Sequence, residues 1–133
     1  VDPAEAEALL REHGHDGLRL VDNGAAHRRS PALAGLPALR VYHLVPAQAS
    51  KAGAVARHMR MRGYAPEETI GVGDSREDLT LHEAVGTFWL VANALDRDPT
   101  LREAAARAGN VRIAEDGYGA GVYEAIVTTL AGG

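Results

Sequence analysis

The chain contains no cysteine. That excludes disulfide bonds and thiolate metal sites, and it fits a reducing, cytoplasmic setting. Aromatic residues are scarce, with one phenylalanine, one tryptophan and four tyrosines among 133 residues, so the core must be built from Val, Leu, Ile and Ala. No apolar stretch approaches the roughly 20 residues that a membrane-spanning helix needs. The first residues also lack the charged and apolar regions of a signal peptide. Positive charge is not in excess either. The formal net charge of −4 gives no electrostatic ground for nucleic acid or an anionic membrane as partner. No internal repeat or low-complexity tract is present. The length suits one domain or a little more, and a start at Val1 rather than methionine suggests a trimmed or processed product.

What is present reads as two unlike parts. Asp2-Pro3-Ala4-Glu5 opens a helix, with Asp2 as cap, Pro3 at the first helical position and Glu5 at capping-box spacing. Ala6, Leu9 and Leu10 form its apolar stripe and Gly14 its stop. Leu18–Val21 and Leu39–Val45 read as strands, separated by the turn residues Asp22-Asn23-Gly24 and a loop-like stretch over 30–37. From Ser50 onward helix and strand alternate. A helix is expected over Lys51–Arg62, then a strand over Thr69–Val72 and a helix over Ser75–Ala84. A continuous apolar strand, Phe88–Ala92, follows, typical of one covered on both faces. A helix then starts at Asp98-Pro99 and stops at Gly109, with a short strand at Val111–Ile113 after it. The last helix carries Val122, Ile126 and Leu130 at four-residue spacing. Alternation with short links argues for a parallel sheet and an α/β fold, with a small α+β piece before it. The boundary is placed between 1–47 and 48–133.

The most informative stretch is Gly71-Val-Gly-Asp-Ser-Arg-Glu-Asp-Leu79. Asp74 falls at the carboxyl end of a strand, where open α/β sheets bind their ligands, and Asp78 lies one helical turn further on. Two acids so close repel each other unless a cation intervenes, and Mg²⁺ prefers carboxylate oxygens. The bland alternative is that Asp74 or Ser75 simply caps the next helix while the glycines permit a tight turn. Lys51 opens a helix, where a cation is unfavourable against the helix dipole; it is either a solvated lysine or the partner of an anion. Asn93 follows the apolar strand on the same sheet edge as Asp74, as a turn former or a site residue. The six histidines (His13, His15, His27, His43, His58 and His82) show no metal-ligand spacing. Arg28-Arg29 and Arg57, Arg60 and Arg62 read as solvated charge. The pair Gly71 and Gly73 lacks the third glycine of a dinucleotide fingerprint and is followed by acids that would repel a pyrophosphate.

In order along the chain, Val45-Pro46, Ser50-Lys51, Gly73-Asp74-Ser75 with Asp78, Asn93-Ala94, and Asp116-Gly117 through Gly121-Val122 resemble the haloacid dehalogenase-like (HAD) phosphohydrolases. The likeness is to members with a large α+β (C2-type) cap, such as sucrose-phosphatase and mannosyl-3-phosphoglycerate phosphatase. The resemblance implies a Rossmann-like three-layer parallel sheet, with residues 1–47 as the trailing part of the cap. It implies that Lys51 stabilises the phosphoryl group, that Asp74 binds Mg²⁺ with Asp78 helping directly or through water, and that Asn93 lies near the phosphate. The substrate would be a sugar phosphate or another small phosphorylated metabolite. Glu77 departs from the family by standing where many capped members have asparagine. The Asp-x-Asp nucleophile motif should sit on a strand earlier in the chain, where nothing replaces it, and the Ser/Thr strand is also missing. The expectation is therefore the carboxyl-terminal portion of a phosphatase, inactive by itself, that needs a missing amino-terminal segment or self-associates through a sheet edge. A non-catalytic phosphate- or Mg²⁺-binding module is the alternative. A receiver-like signalling domain is disfavoured, because its acids should cluster near the chain start.

Overall fold

The computed structural model describes residues 2–26, 31–33, 35–36 and 38–132. His27, Arg28-Arg29 and parts of the loop-like 30–37 stretch lie outside them. The chain divides into two compact units, residues 1–49 and 50–133, each taken by itself below.

The first unit is a helix on a two-stranded antiparallel sheet. Helix α1 (Pro3–Glu12) starts as its sequence dictates, with the Asp2 carboxylate accepting the Ala4 N–H at 2.8 Å. Glu5 does not complete the box; Glu7 instead accepts the Leu20 N–H at 3.0 Å and ties the helix to the sheet. Strands β1 (Leu18–Ala25) and β2 (Arg40–Pro46) pair from Leu18↔Pro46 to Asp22↔Tyr42, and a bulge precedes Ala25↔Arg40. Gly24 supplies the left-handed backbone at that bulge, with φ +85°. Arg40 closes it by pairing with Asp22 at 2.5 Å, which holds the Asp22 carboxyl below its usual range. Leu9, Leu10, Leu20 and Leu44 line an apolar hollow of about 450 Å³ on this unit.

The second unit is α/β around a parallel sheet in the order β3-β4-β5. Its strands are β3 (Ile70–Gly73), β4 (Thr87–Leu90) and β5 (Val111–Ile113), with Val72 beside Trp89 and Leu90 beside Ile113. Alternation along β4 sends Phe88 and Leu90 to one face and Trp89 to the other. On the first face Phe88 and Leu90 pack with Met59 of helix α2 (Lys51–Arg62), Leu79 of helix α3 (Arg76–Leu79) and Leu101 of helix α5 (Leu101–Ala108). On the second, Trp89 packs with Val72, Ala114 and Ala125 of helix α6 (Tyr118–Ala131). Its indole N–H donates to the Thr129 hydroxyl at 3.1 Å. The expected α/β class and the strand covered on both faces are therefore present. Helix α2 has the expected limits and ends on Gly63 at φ +73°.

Four features differ from, or add to, what the sequence predicts. The helix expected over Ser75–Ala84 is only one turn, α3. It tightens to a 3₁₀ turn over Thr80–Glu83, where the Thr80 hydroxyl bonds the Glu77 carbonyl at 2.6 Å. A short helix α4 (Asn93–Arg97) stands where only a turn was read. Helix α5 begins at Leu101 rather than at Asp98-Pro99, because the Asp98 carboxylate accepts the Thr100 N–H at 3.1 Å and makes a turn there. The fourth concerns α6. Its buried positions are Gly121 and Ala125, whereas Val122, Ile126 and Leu130 are exposed, Leu130 to 78%. Small residues face the sheet because the helix lies very close there. A Cβ on Gly121 would overlap the Asp116 carbonyl oxygen and come within 2.9 Å of Val91.

Candidate phosphoryl and metal site

The carboxyl ends of β3 and β4, helix α3 and the start of α6 converge on a cavity of about 310 Å³ of mixed polar and apolar lining. Asp74, Asp78, Asn93 and Tyr118 are among the residues lining it.

Lys51 is placed by capping. The Ser50 hydroxyl accepts the Gly53 N–H at 3.0 Å, which starts α2 so that Lys51 is its first residue. Its ammonium donates to the Asp78 carboxylate at 2.6 Å, and Glu77 stands 3.8 Å away. Asp78 is held on three sides. Besides Lys51 it accepts from the Ser75 hydroxyl at 2.7 Å and from the Asp74 N–H at 3.3 Å, while its own N–H donates to Ser75 Oγ at 3.1 Å. Ser75 is thus both the helix cap and part of the site. Burial pushes the Asp78 carboxyl up, but the hydrogen bonds from Lys51, Ser75 and the Asp74 amide outweigh it and hold the carboxyl below its ordinary value. The same bond to Asp78 raises Lys51, against its partial burial. Gly73 makes room for this arrangement: a Cβ there would overlap Asp78 Cβ and approach Cγ to 2.9 Å.

Among the described residues, Asp74 is engaged through one oxygen only. Its Oδ2 accepts from Asn93 Nδ2 at 3.3 Å and from the Arg97 guanidinium. Asn93 is 4% exposed, the one buried polar side chain among the described residues. Its Oδ1 accepts the Tyr118 N–H at 2.6 Å, which fixes the amide with its NH₂ toward Asp74. The tyrosine reaches that position through a left-handed backbone, φ +53°, the single positive φ outside glycine among the described residues. Such a conformation is costly for a bulky residue and concentrates at functional sites. At the far side of Ser75, Arg76 ties α3 to the start of α5 through Asp98 at 2.7 Å and Thr100 at 2.5 Å.

The four residues singled out from sequence, Lys51, Asp74, Asp78 and Asn93, thus form one connected network. His58 lies on α2 and His82 on the 3₁₀ turn, and neither lines this cavity. Sequence reading missed Arg97 and the backbone of Tyr118. Arg97 follows Asn93 by four residues, but that spacing carries meaning only once α4 is known to exist. As a donor set the site offers hard carboxylate oxygens and no sulfur or imidazole, the chemistry that suits an octahedral, partly hydrated cation. Among the described residues no cluster of three or more His, Cys, Asp or Glu gathers to hold a metal. Within the pair, both oxygens of Asp78 are already committed, so Asp74 Oδ1 is the carboxylate oxygen without a partner among the described residues.

No family model matches the chain. Over 127 residues it is 33% identical to a phosphoglycolate phosphatase of Methanoculleus marisnigri, covering 95% of this chain and 44% of that protein. A phosphoglycolate phosphatase of Halobacterium salinarum is 34% identical over 89 residues, which is 67% of this chain and 32% of that one. The chain therefore spans less than half the length of these phosphatases. In fold it is similar to a haloacid dehalogenase-like hydrolase protein of Bacillus subtilis, with a TM-score of 0.61, 20% identity and coverage of 95% of this chain and 40% of that one. A Thermoplasma acidophilum protein gives a TM-score of 0.58 at 17% identity, over 97% and 47%.

Proposed function

From the premise that this chain is HAD-like and related to phosphoglycolate phosphatases over part of their length, we propose that it supplies the Lys51 and Asp74 half of a Mg²⁺-dependent phosphomonoester hydrolase. The substrate is a small phosphorylated metabolite, and phosphoglycolate is the first candidate to test. Residues 48–133 form part of the catalytic core and 1–47 the trailing part of a cap. The attacking group is an aspartate outside these 133 residues, which forms an aspartyl-phosphate; no Asp-x-Asp precedes Lys51 in the sequence.

The observation that carries this reading is that Asp74 and Asp78 line one cavity at the carboxyl ends of β3 and β4 while Lys51 is bonded to Asp78. Asp74 would hold the metal through Oδ1, and Mg²⁺ bound there would supply positive charge against the phosphoryl oxygens. Lys51 does the same from the protein side, as a cation fixed before the substrate arrives. Asp78 is a positioning residue that aims the ammonium and, through the Asp74 N–H, the turn that carries Asp74. Asn93 acts in the same way, since both its polar groups are already used within the protein and its NH₂ steadies the Asp74 carboxylate.

The test joins this chain to the part of the M. marisnigri phosphatase that it does not match, and follows phosphate release from phosphoglycolate with Mg²⁺ present. The chimera should turn over and its Lys51→Met variant should not, while the 133-residue chain alone is inactive toward an aryl phosphate. Turnover by the chain alone, lost on Lys51→Met, would place the nucleophile within it and overturn the proposal. A soluble, folded chimera without activity would favour a non-catalytic phosphate- or Mg²⁺-binding module.

A further inference from the structure

Three cations stand around the site, and they are held differently. Lys51 is fixed by Asp78, with Glu77 close by. Arg76 is fixed by both Asp98 and Thr100. Arg97, the last residue of α4, has Asp74 as its one described partner, and its side chain is 60% exposed against 38% for Asp74. It therefore rests on the carboxylate read as the metal ligand and has open solvent to move into.

The carboxylate itself is not free to follow it. Asn93 holds the same oxygen from a buried position and is locked in turn by the Tyr118 N–H at 2.6 Å. Removing the arginine would leave Asp74 where it is, with Asn93 still bonded to Oδ2 and Oδ1 open. A guanidinium and a divalent cation on one carboxylate repel each other, and only one of the two has an alternative place to go.

We propose that Arg97 is a displaceable counter-ion of Asp74: it neutralises the acid while no metal is bound, and an arriving divalent cation drives it off. The inference rests on the reading of Asp74 as the metal ligand. Two consequences follow. The site stays assembled without metal, because the Asp74–Asp78 repulsion is already relieved by Arg97 and Lys51. The metal affinity of the chain is also set below what Asp74 alone would give, since binding must first break an ion pair.

The experiment is a Mn²⁺ titration of the whole chain followed by water-proton relaxation, for the parent, Arg97→Gln and Asp74→Asn, with the Arg97 Nε–Hε resonance followed by NMR during a Mg²⁺ titration. Arg97→Gln should bind Mn²⁺ about three- to fivefold more tightly, the factor that a partly exposed ion pair supports. The Arg97 resonance should shift saturably with Mg²⁺ toward the position of a solvated arginine. Unchanged or weaker binding by Arg97→Gln, with Asp74→Asn still losing the metal, overturns the counter-ion and leaves the site assignment standing. Metal binding that survives Asp74→Asn, or no saturable binding by any of the proteins, overturns the counter-ion together with the assignment of Asp74.

Discussion

The contact between Lys51 and Asp78 can be tested as a free energy. It lies between two regimes: the lysine side chain is 51% exposed, whereas the aspartate is 15% exposed and receives two further hydrogen bonds. Exposed ion pairs are worth about 0.2–1 kcal/mol, while breaking a buried one by removing a single partner costs about 3–5 kcal/mol. A double-mutant cycle over Lys51→Met and Asp78→Asn should therefore return a coupling of about 1 kcal/mol, at the top of the exposed range. Asp78→Asn alone should cost more, about 1.5–2 kcal/mol, because Ser75 and the Asp74 amide also lose a charged acceptor. Urea denaturation followed by Trp89 fluorescence is well suited to the measurement. Trp89 is the chain's one tryptophan and sits in the core of the second unit, so the signal reports that unit.

The pH dependence adds a second constraint. The Asp78 carboxyl is depressed in the folded chain, so its contribution is complete above the unfolded value, about pH 4, and is lost as pH falls through the lower folded value. Lys51 is raised, so its contribution is complete below about pH 10 and is lost as pH climbs through the higher folded value. The coupling should be flat between these limits and decay at both ends. A coupling indistinguishable from zero at neutral pH would show that the 2.6 Å contact is not maintained in solution. One that persists unchanged once Asp78 is protonated would show that charge is not its cause.

Two further outcomes follow from the packing. Gly73→Ala should cost about 1–3 kcal/mol, as overpacking does, and should abolish the Lys51–Asp78 coupling, because its Cβ would take the space of the Asp78 side chain. A Gly73→Ala variant with the coupling intact would refute that account. The exposed stripe on α6, together with the β3 edge that no described strand pairs, should make the isolated chain associate as concentration rises, and Ile126→Asp should reduce this. Light scattering after size-exclusion chromatography would refute the expectation by showing a monomer throughout a dilution series.

The parts of the fold that were legible in the sequence are those dictated locally. Ser50 before Lys51 and Gly63 after Arg62 fix α2 at both ends, and the apolar run through Phe88-Trp89-Leu90 is typical of a strand buried on both faces. The grouping of Asp74 and Asp78 in the candidate site was legible because they follow from a strand end and one helical turn. What escaped depended on contacts between distant segments. No periodicity marks a five-residue helix, so Arg97 could not be placed beside Asp74. Nothing in Gly117-Tyr118 announces that the tyrosine adopts a left-handed backbone to reach Asn93.

The last helix shows the limit most plainly. The four-residue spacing of Val122, Ile126 and Leu130 identifies an apolar stripe but does not say what covers it. The sheet takes the opposite, small-residue side, through Gly121 and Ala125, because only there can the helix approach Val91 and the Asp116 carbonyl. A stripe of that size left uncovered, next to a parallel strand with an open edge, is what a sheet presents when it continues in one direction only. The same side of the second unit carries Val72, Asp74 and the cavity. A strand added at β3 would therefore cover apolar surface and, at its carboxyl end, bring its own side chains next to Lys51 and Asp74. Stability and catalysis would then depend on the same added strand, so a chimera that recovers activity should also lose the concentration-dependent association of the isolated chain.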